Sequence, residues 1–200
     1  MSDERSRPRP VPQDWDLSAL SPEEVREIYL RFMDIDPKGG VIRLLGHRYG
    51  FLRPEVLVNI QKQLEQTVGA STKGFLYLAG ERSAEAGLGL SGELLEGLDA
   101  TRLTKEAFRR LADALAIIGY GRFELVASDL GSGEYAFTLR NSPIAEAYGA
   151  SKKPVCHLLA GFLGGVSRRL LDRDFLCEET ACRAQGLEVC RFELRPAPRP

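Results

Sequence analysis

The stretch PVCHLLAGFLGGVSRRLLDRDFLCEETACRAQGLEVCRFEL, Pro154 to Leu194, decides how the chain folds, because all four cysteines of the protein fall inside it. From Pro154, Leu158, Leu159, Phe162, Leu163, Val166 and Leu170 recur at the spacing of one helix face. Gly161, Gly164 and Gly165 interrupt that face, and small residues spaced by four let a neighbouring backbone pack close. Arg168, Arg169 and Arg173 stand near the helix end, where the dipole favours cations. Phe175 to Glu179 and Val189 to Leu194 then read as two closing strands with Gly186 in the turn between them. In the second strand Cys190, Phe192 and Leu194 share one face, and Val189, Arg191 and Glu193 the other.

The chemistry of the stretch lies in Cys156, Cys177, Cys182 and Cys190, with Glu179 three residues before Cys182. A thiolate-rich set converging from rigid elements suits a closed, four-coordinate structural zinc. Cys156 is expected in the first turn of the helix begun by Pro154, where the positive dipole end stabilises a thiolate. Cys190 points from the last strand toward the apolar face. Glu179 and Cys182 have opposite parity and cannot share a face of one flat strand, so the run must bend near Thr180. The residues alone leave alternatives open. Cys177 can replace Glu179 as the fourth ligand, the cysteines can be small core hydrophobes, or Cys177 and Cys182 can form a redox pair.

Working outward, 200 residues with 44% hydrophobic content can bury the core of one domain. A formal net charge of -1, with no block of like charges, gives no electrostatic footprint for nucleic acid. The arginines at Arg5, Arg7 and Arg9, and those after Val166, read as solvated faces. No apolar run approaches a membrane span, and the polar, Pro-rich start is unlike a signal peptide. The expectation is a cytoplasmic protein, where clustered cysteines are metal ligands or redox groups more often than disulfides.

Residues 1–18 read as a disordered or loosely docked tail that Trp15 can anchor, 19–196 as a single ligand-binding domain, and 197–200 as a second tail. Within the domain, 19–53 form an N-terminal helix and hairpin, a docking face for dimerisation, and 54–196 the core. Ser21-Pro22-Glu23-Glu24 is a capping-box helix start, followed by Val25, Ile28, Tyr29 and Phe32 at helical spacing. Asp36 to Gly40 breaks that helix, and Val41 to Leu45 with Tyr49 to Leu52 read as a hairpin turning at Gly46 and His47, with His47 an exposed turn residue. Helices follow from Pro54 to Val68, from about Ser71, and from Thr104 to Ile118. Gly87 to Gly92 either end the second of these or mark a close approach to another helix or a ligand. Phe123 to Ser128 and Tyr135 to Arg140 alternate with period two around a Gly-containing turn, a half-buried hairpin. Ile144 to Tyr148 makes a short helical turn.

Three segments taken together, Pro154 to Gly165, Glu178 to Gly186 and Cys190-Arg191-Phe192, resemble the vinyl-4-reductase domain family, a small-molecule and hydrocarbon-binding family. The likeness covers roughly Ala136 to Leu194, and Val41 to Gly89 more loosely resembles the sensory domains of phenol- and xylene-responsive activators. The resemblance implies an α/β (α+β) fold related to a vesicle-tethering subunit, with helices and a twisted antiparallel sheet around an apolar chamber, in a homodimer. It also implies a zinc held by three cysteines and one glutamate, which fall on Cys156, Glu179, Cys182 and Cys190 and leave Cys177 outside.

Inward-facing aromatic groups are expected to line the chamber. The candidates are Tyr120, Phe123, Tyr135, Phe137, His157 and Phe162, with Phe75 and Tyr77 from the other wall. For each, core packing competes with ligand contact. In the sensing relatives a tryptophan tends to occupy the position of Tyr120, so phenol specificity does not transfer to this chain. The expected function is a non-catalytic sensor or carrier for a small hydrophobic molecule, signalling through a downstream protein partner. The alternatives are a reductase or accessory protein in (bacterio)chlorophyll vinyl reduction, and a purely structural interaction module. Gly87-Leu88-Gly89-Leu90-Ser91-Gly92 imitates a dinucleotide fingerprint with short spacing and no preceding strand, and four protein ligands would close a zinc to catalysis.

Overall fold

Ser21 and Glu24 close on each other as a capping box. The Ser21 amide donates to Glu24 Oε2 at 2.7 Å and the Glu24 amide to Ser21 Oγ at 3.3 Å, which starts helix α1, Pro22–Phe32. The computed structural model describes residues 21–44, 47–95, 103–129, 133–171 and 173–197, so Trp15 and the N-terminal tail lie outside the described residues. After α1 come strands β1, Met33–Asp36, β2, Val41–Leu44, and β3, His47–Tyr49, in one antiparallel sheet of order β1-β2-β3. The first of these is not among the expected strands. Met33-Asp34-Ile35-Asp36 alternates apolar with acidic residues, a strand period hidden behind the helix break. At that break Asp36 Oδ1 accepts the amides of Lys38 at 3.0 Å and Gly39 at 2.9 Å, a side-chain turn that lets the chain reverse. The returning strand begins at His47 itself, which is therefore a strand residue and not the turn.

The remainder follows as α2, Pro54–Val68, α3, Thr72–Leu95, α4, Leu103–Ile117, β4, Arg122–Asp129, and β5, Glu134–Arg140. The chain closes with α5, Pro143–Tyr148, α6, His157–Leu171, β6, Phe175–Ala181, and β7, Cys190–Pro196. The last four strands form an antiparallel sheet of order β4-β5-β7-β6. Residues 87–92 neither end α3 nor follow a strand, for the helix runs through them to Leu95. The core sits between this sheet and α4 and α6, with Phe192, Leu139, Leu159, Leu163 and Leu194 fully buried.

The close helix approach that the glycines of α6 announce is made to α3. A Cβ placed on Gly161 would lie 1.9 Å from the Tyr77 carbonyl oxygen, and one on Gly80 would lie 2.0 Å from that of Leu158. Gly165 meets the Glu81 carbonyl in the same way at 2.7 Å. The two backbones touch along this seam, so side chains are sterically excluded from it. An Arg168–Glu81 ion pair crosses the same two helices.

The bend required near Thr180 is a β-bulge. Glu179 pairs with Phe192 and Ala181 with Arg191, which leaves Thr180 as the extra residue on β6. Below the bulge Phe175, Cys177 and Glu179 are buried while Leu176 and Glu178 are exposed. Beyond it Cys182 is delivered into a 3-10 turn over Arg183–Gln185 that ends at Gly186, where φ of 86° suits glycine.

Candidate metal centre and adjoining cleft

Three separate elements bring the cluster together. Cys190 opens β7, Glu179 stands before the bulge of β6, and Cys182 stands after it. Cys156 is not within the first turn of α6 but one residue before it, where its carbonyl accepts the Ala160 amide at 3.0 Å. The helix starts late because the Val155 carbonyl is taken by Gln61 Nε2 of α2 at 3.1 Å, a buried side chain reaching from another helix. Cys156 thus occupies the cap position, where the dipole argument for a thiolate still holds.

The Cys156 sulfur lies 3.9 Å from those of Cys182 and Cys190, and these two are 3.8 Å apart. With metal–sulfur bonds of ~2.3 Å, sulfurs at the corners of a tetrahedron sit about 3.8 Å from one another. The ligand atoms of Cys156, Glu179, Cys182 and Cys190 all fall within 4.8 Å of one another, and all four residues are buried. Glu179 Oε2 accepts the Cys156 amide at 2.7 Å, while its Oε1 is buried without a hydrogen-bond partner. A buried carboxylate oxygen left bare is costly. An orphaned oxygen beside three sulfurs at tetrahedral spacing fits a metal ion.

Electrostatics point the same way. Burial, reinforced by the neighbouring Cys182 charge, pushes Glu179 up to about 8. Hydrogen bonds with Cys182 and Cys190, and then burial, hold the Cys156 thiol far above its ordinary range. Four anions cannot share this volume without a cation, so the ligands shed protons as a metal arrives. Around them stands a shell that sequence reading missed. The Arg183 amide donates to Cys190 Sγ at 3.4 Å, Ser142 Oγ lies 3.3 Å from Cys156 Sγ, and the Cys182 amide donates to Gln185 Oε1 at 3.0 Å. Ser142 carries a visible signal, since it precedes Pro143 as the cap of α5, where its Oγ accepts the Ala145 amide. Cys177, also buried and free, points elsewhere, and its amide donates to the Tyr77 hydroxyl at 3.1 Å.

A cleft of about 580 Å³ lies between α4 and the edge strand β4. Phe108, Leu111 and Leu115 line it from α4, Phe123 and Leu125 from β4, and Phe137 and Leu163 from deeper in the core. Phe108 packs on Phe137 with ring centres 4.9 Å apart, and Phe123 on Phe192 at 6.1 Å. Phe192 is two residues from Cys190, so the inner wall of the cleft is a direct continuation of the metal centre. At its polar side Asp113, 4% exposed, accepts Arg109 Nη1 on Oδ2 at 3.0 Å and Arg122 Nη1 on Oδ1 at 2.7 Å.

Of the eight aromatic and histidine candidates, Phe123 and Phe137 line this cleft. Tyr135 packs behind it against Phe108 and Phe175, and Tyr120 and Phe162 are half-buried beside the core. Tyr77 belongs to the helix seam, its hydroxyl against Gly164. Phe75 is 56% exposed on the outer face of α3, one residue too far round the helix to face in. His157 sits at the head of α6 beside the metal centre, and burial lowers its pKa, with Lys73 adding to the shift. Asp113 and Arg122 escape sequence reading. Arg109 and Asp113 stand one helical turn apart and look like a solvated pair, and only the fold brings Arg122 to them.

Among the described residues, no helix is long and apolar enough to cross a membrane. Comparison with known proteins gives a consistent picture. The chain is 30% identical over 174 residues to the phenol regulator MopR of Acinetobacter guillouiae, an alignment covering 80% of this chain and 30% of the length of that protein. Among solved structures it is similar to the phenol-responsive sensory domain of the transcription activator PoxR, solved with phenol. The TM-score is 0.71 at 20% identity, over 87% of this chain and 89% of that one. A trafficking protein particle complex subunit 3 from Naegleria fowleri, covalently bound to palmitic acid, shares the fold at a TM-score of 0.53 and 16% identity, over 72% of this chain and 95% of that one. The family model for the vinyl-4-reductase domain matches residues 135–196, the span that holds β5, α5, α6, β6 and β7. The chain therefore carries a vinyl-4-reductase domain, and all four members of the buried Cys and Glu cluster lie within it.

Proposed function

We propose that this chain is a non-catalytic module that binds a small hydrophobic molecule, aromatic or hydrocarbon, and that a structural zinc on Cys156, Glu179, Cys182 and Cys190 fixes one wall of its site. The observation that carries the reading is the cleft, whose volume lies in the ~300–1,000 Å³ range of small-ligand sites and whose walls are apolar apart from one charged side. Phe123 and Phe137 are its aromatic contacts, and the other aromatic candidates act by packing behind them. The likeness to phenol regulators supports a sensor over a carrier. Zinc would supply cross-linking there. It joins the cap of α6 to β6 and β7 in a thiolate-rich tetrahedron that leaves no open position.

In this reading 19–196 act as one domain in the cytoplasm, 19–53 pair two copies, and the ligand state is passed to a partner protein. The test is extraction of the purified protein. A co-purified apolar molecule that is released intact, with about one zinc per chain, is expected. Chemical turnover of that molecule on adding a nicotinamide reductant would instead support the reductase reading. A folded protein with no metal would remove the zinc.

A further inference from the structure

Resting on that reading, we propose that the cleft selects a ligand with an apolar body and one anionic head group, a carboxylate, which docks on Arg122. The polar side of the cleft is built on a carboxylate that cannot move. Asp113 is 4% exposed, and each of its oxygens is taken by a different guanidinium, at 2.7 Å by Arg122 and at 3.0 Å by Arg109. One negative charge is thereby divided between two cations. Arg122 is the more accessible, with its side chain 51% exposed, and it commits one N–H to Asp113. Because the guanidinium is a rigid planar fork, fixing one arm on a buried partner fixes the others. Those remaining donors belong to a residue that lines the cleft, at the edge of the wall made by Phe123 and Leu125.

The fourth charged group of the lining, Glu124, does not cancel this arrangement. It is exposed on β4 and its charge acts on Arg140, which is itself paired with Glu188 at 2.8 Å. An oriented guanidinium at the rim of an apolar cleft matches a carboxylate in shape and charge. A neutral hydroxyl would use one donor and leave the charge unanswered.

The experiment uses the full chain loaded with metal and three probes of matched body: propylbenzene, phenylpropanol and phenylpropanoate. Affinities by calorimetric titration should favour phenylpropanoate over phenylpropanol by about tenfold or more, as a charge-assisted pair implies. Arg122→Gln should abolish that margin and leave phenylpropanol binding unchanged, and Arg122→Lys should restore part of it. An alcohol that binds as well as the acid, or a margin that survives Arg122→Gln, would overturn the proposal. Should the variant fail to fold, the order of the three probes on the unaltered protein decides by itself. If the hydrocarbon and alcohol bind and the acid does not, this inference fails while the ligand-binding reading stands. If none of the three binds, both fall.

Discussion

The two halves of the interior are built for opposite purposes. On the α6 side, the Gly161 and Gly80 contacts press two backbones together and four buried ligand groups converge within 4.8 Å. On the α4 side, a helix stands off an edge strand by a cleft of about 580 Å³. Nothing can enter the first without unfolding it. The second offers apolar surface that only a ligand would cover. The two are joined through Phe192, buried between Cys190 on its own strand and Phe123 in the cleft wall. A rigid corner thus holds one wall still, so that the energy of ordering that wall is spent in folding and not in binding.

Breaking the rigid corner should have the largest effect. Cys182→Ser removes a ligand from a thiolate-rich site, and metal analysis should find it lost. Because ligation is folding energy, destabilisation of about 5 kcal/mol or more is expected. In a chain of this size each kcal/mol moves the thermal midpoint by roughly 2–4 °C, so a calorimetric scan would show a fall of about 10–20 °C. Acid should do the same to the unaltered protein. Glu179 in the metal-free site binds its proton up to about pH 8, and the metal must displace that proton together with those of the thiols. Lowering the pH from 8 toward 5 therefore favours the protonated, metal-free form, and metal release followed by a chromophoric chelator should rise steadily across that interval. A Cys182→Ser protein that keeps both its metal and its melting point would mean the corner is held by packing alone.

The next effect tests the seam without touching the metal. Gly161→Ala puts a methyl group where 1.9 Å separates it from the Tyr77 carbonyl oxygen, and a carbonyl fixed in a helix cannot swing aside. The helices must separate, at a cost of about 1–3 kcal/mol as for other overpacked cores. Metal content should remain at one per chain, and denaturant melts should report the loss. A silent Gly161→Ala would show the seam to be loosely packed.

The sequence carried much of the rigid corner and little of the cleft, for a physical reason. Strand parity demanded a bend at Thr180, and the bulge lies there, because parity is a local property of the backbone. The small-residue spacing of α6 foretold a close helix neighbour, although the glycine that answers it is Gly80 and not Gly87 or Gly89. Cys156 was misplaced by one residue because Gln61, far earlier in the chain, takes the carbonyl that would have started the helix. The polar side of the cleft was illegible for the same kind of reason. Arg109 and Asp113 have the spacing of any surface ion pair, and their burial depends on a strand that arrives later in the chain. Phe75 shows the converse error, an aromatic residue assigned inward by type when its helix turns it out.

The smallest effect, and the one of opposite sign, separates seam glycines from idle ones on a single helix. Gly74 lies in α3 ahead of Gly80, it is exposed, and a Cβ built on it meets nothing within 4 Å. It gains no contact from lacking a side chain, yet it leaves the unfolded chain more freedom to lose. Gly74→Ala should therefore stabilise the protein by about 0.5–1 kcal/mol, read as a small rise in the denaturant midpoint at unchanged slope. Gly80→Ala, in the same helix, must move the opposite way, since its Cβ would meet the Leu158 carbonyl oxygen at 2.0 Å. If both substitutions shift the midpoint in the same direction, helix propensity and not backbone contact governs α3, and the contrast between the locked and the open side of the molecule loses its structural cause.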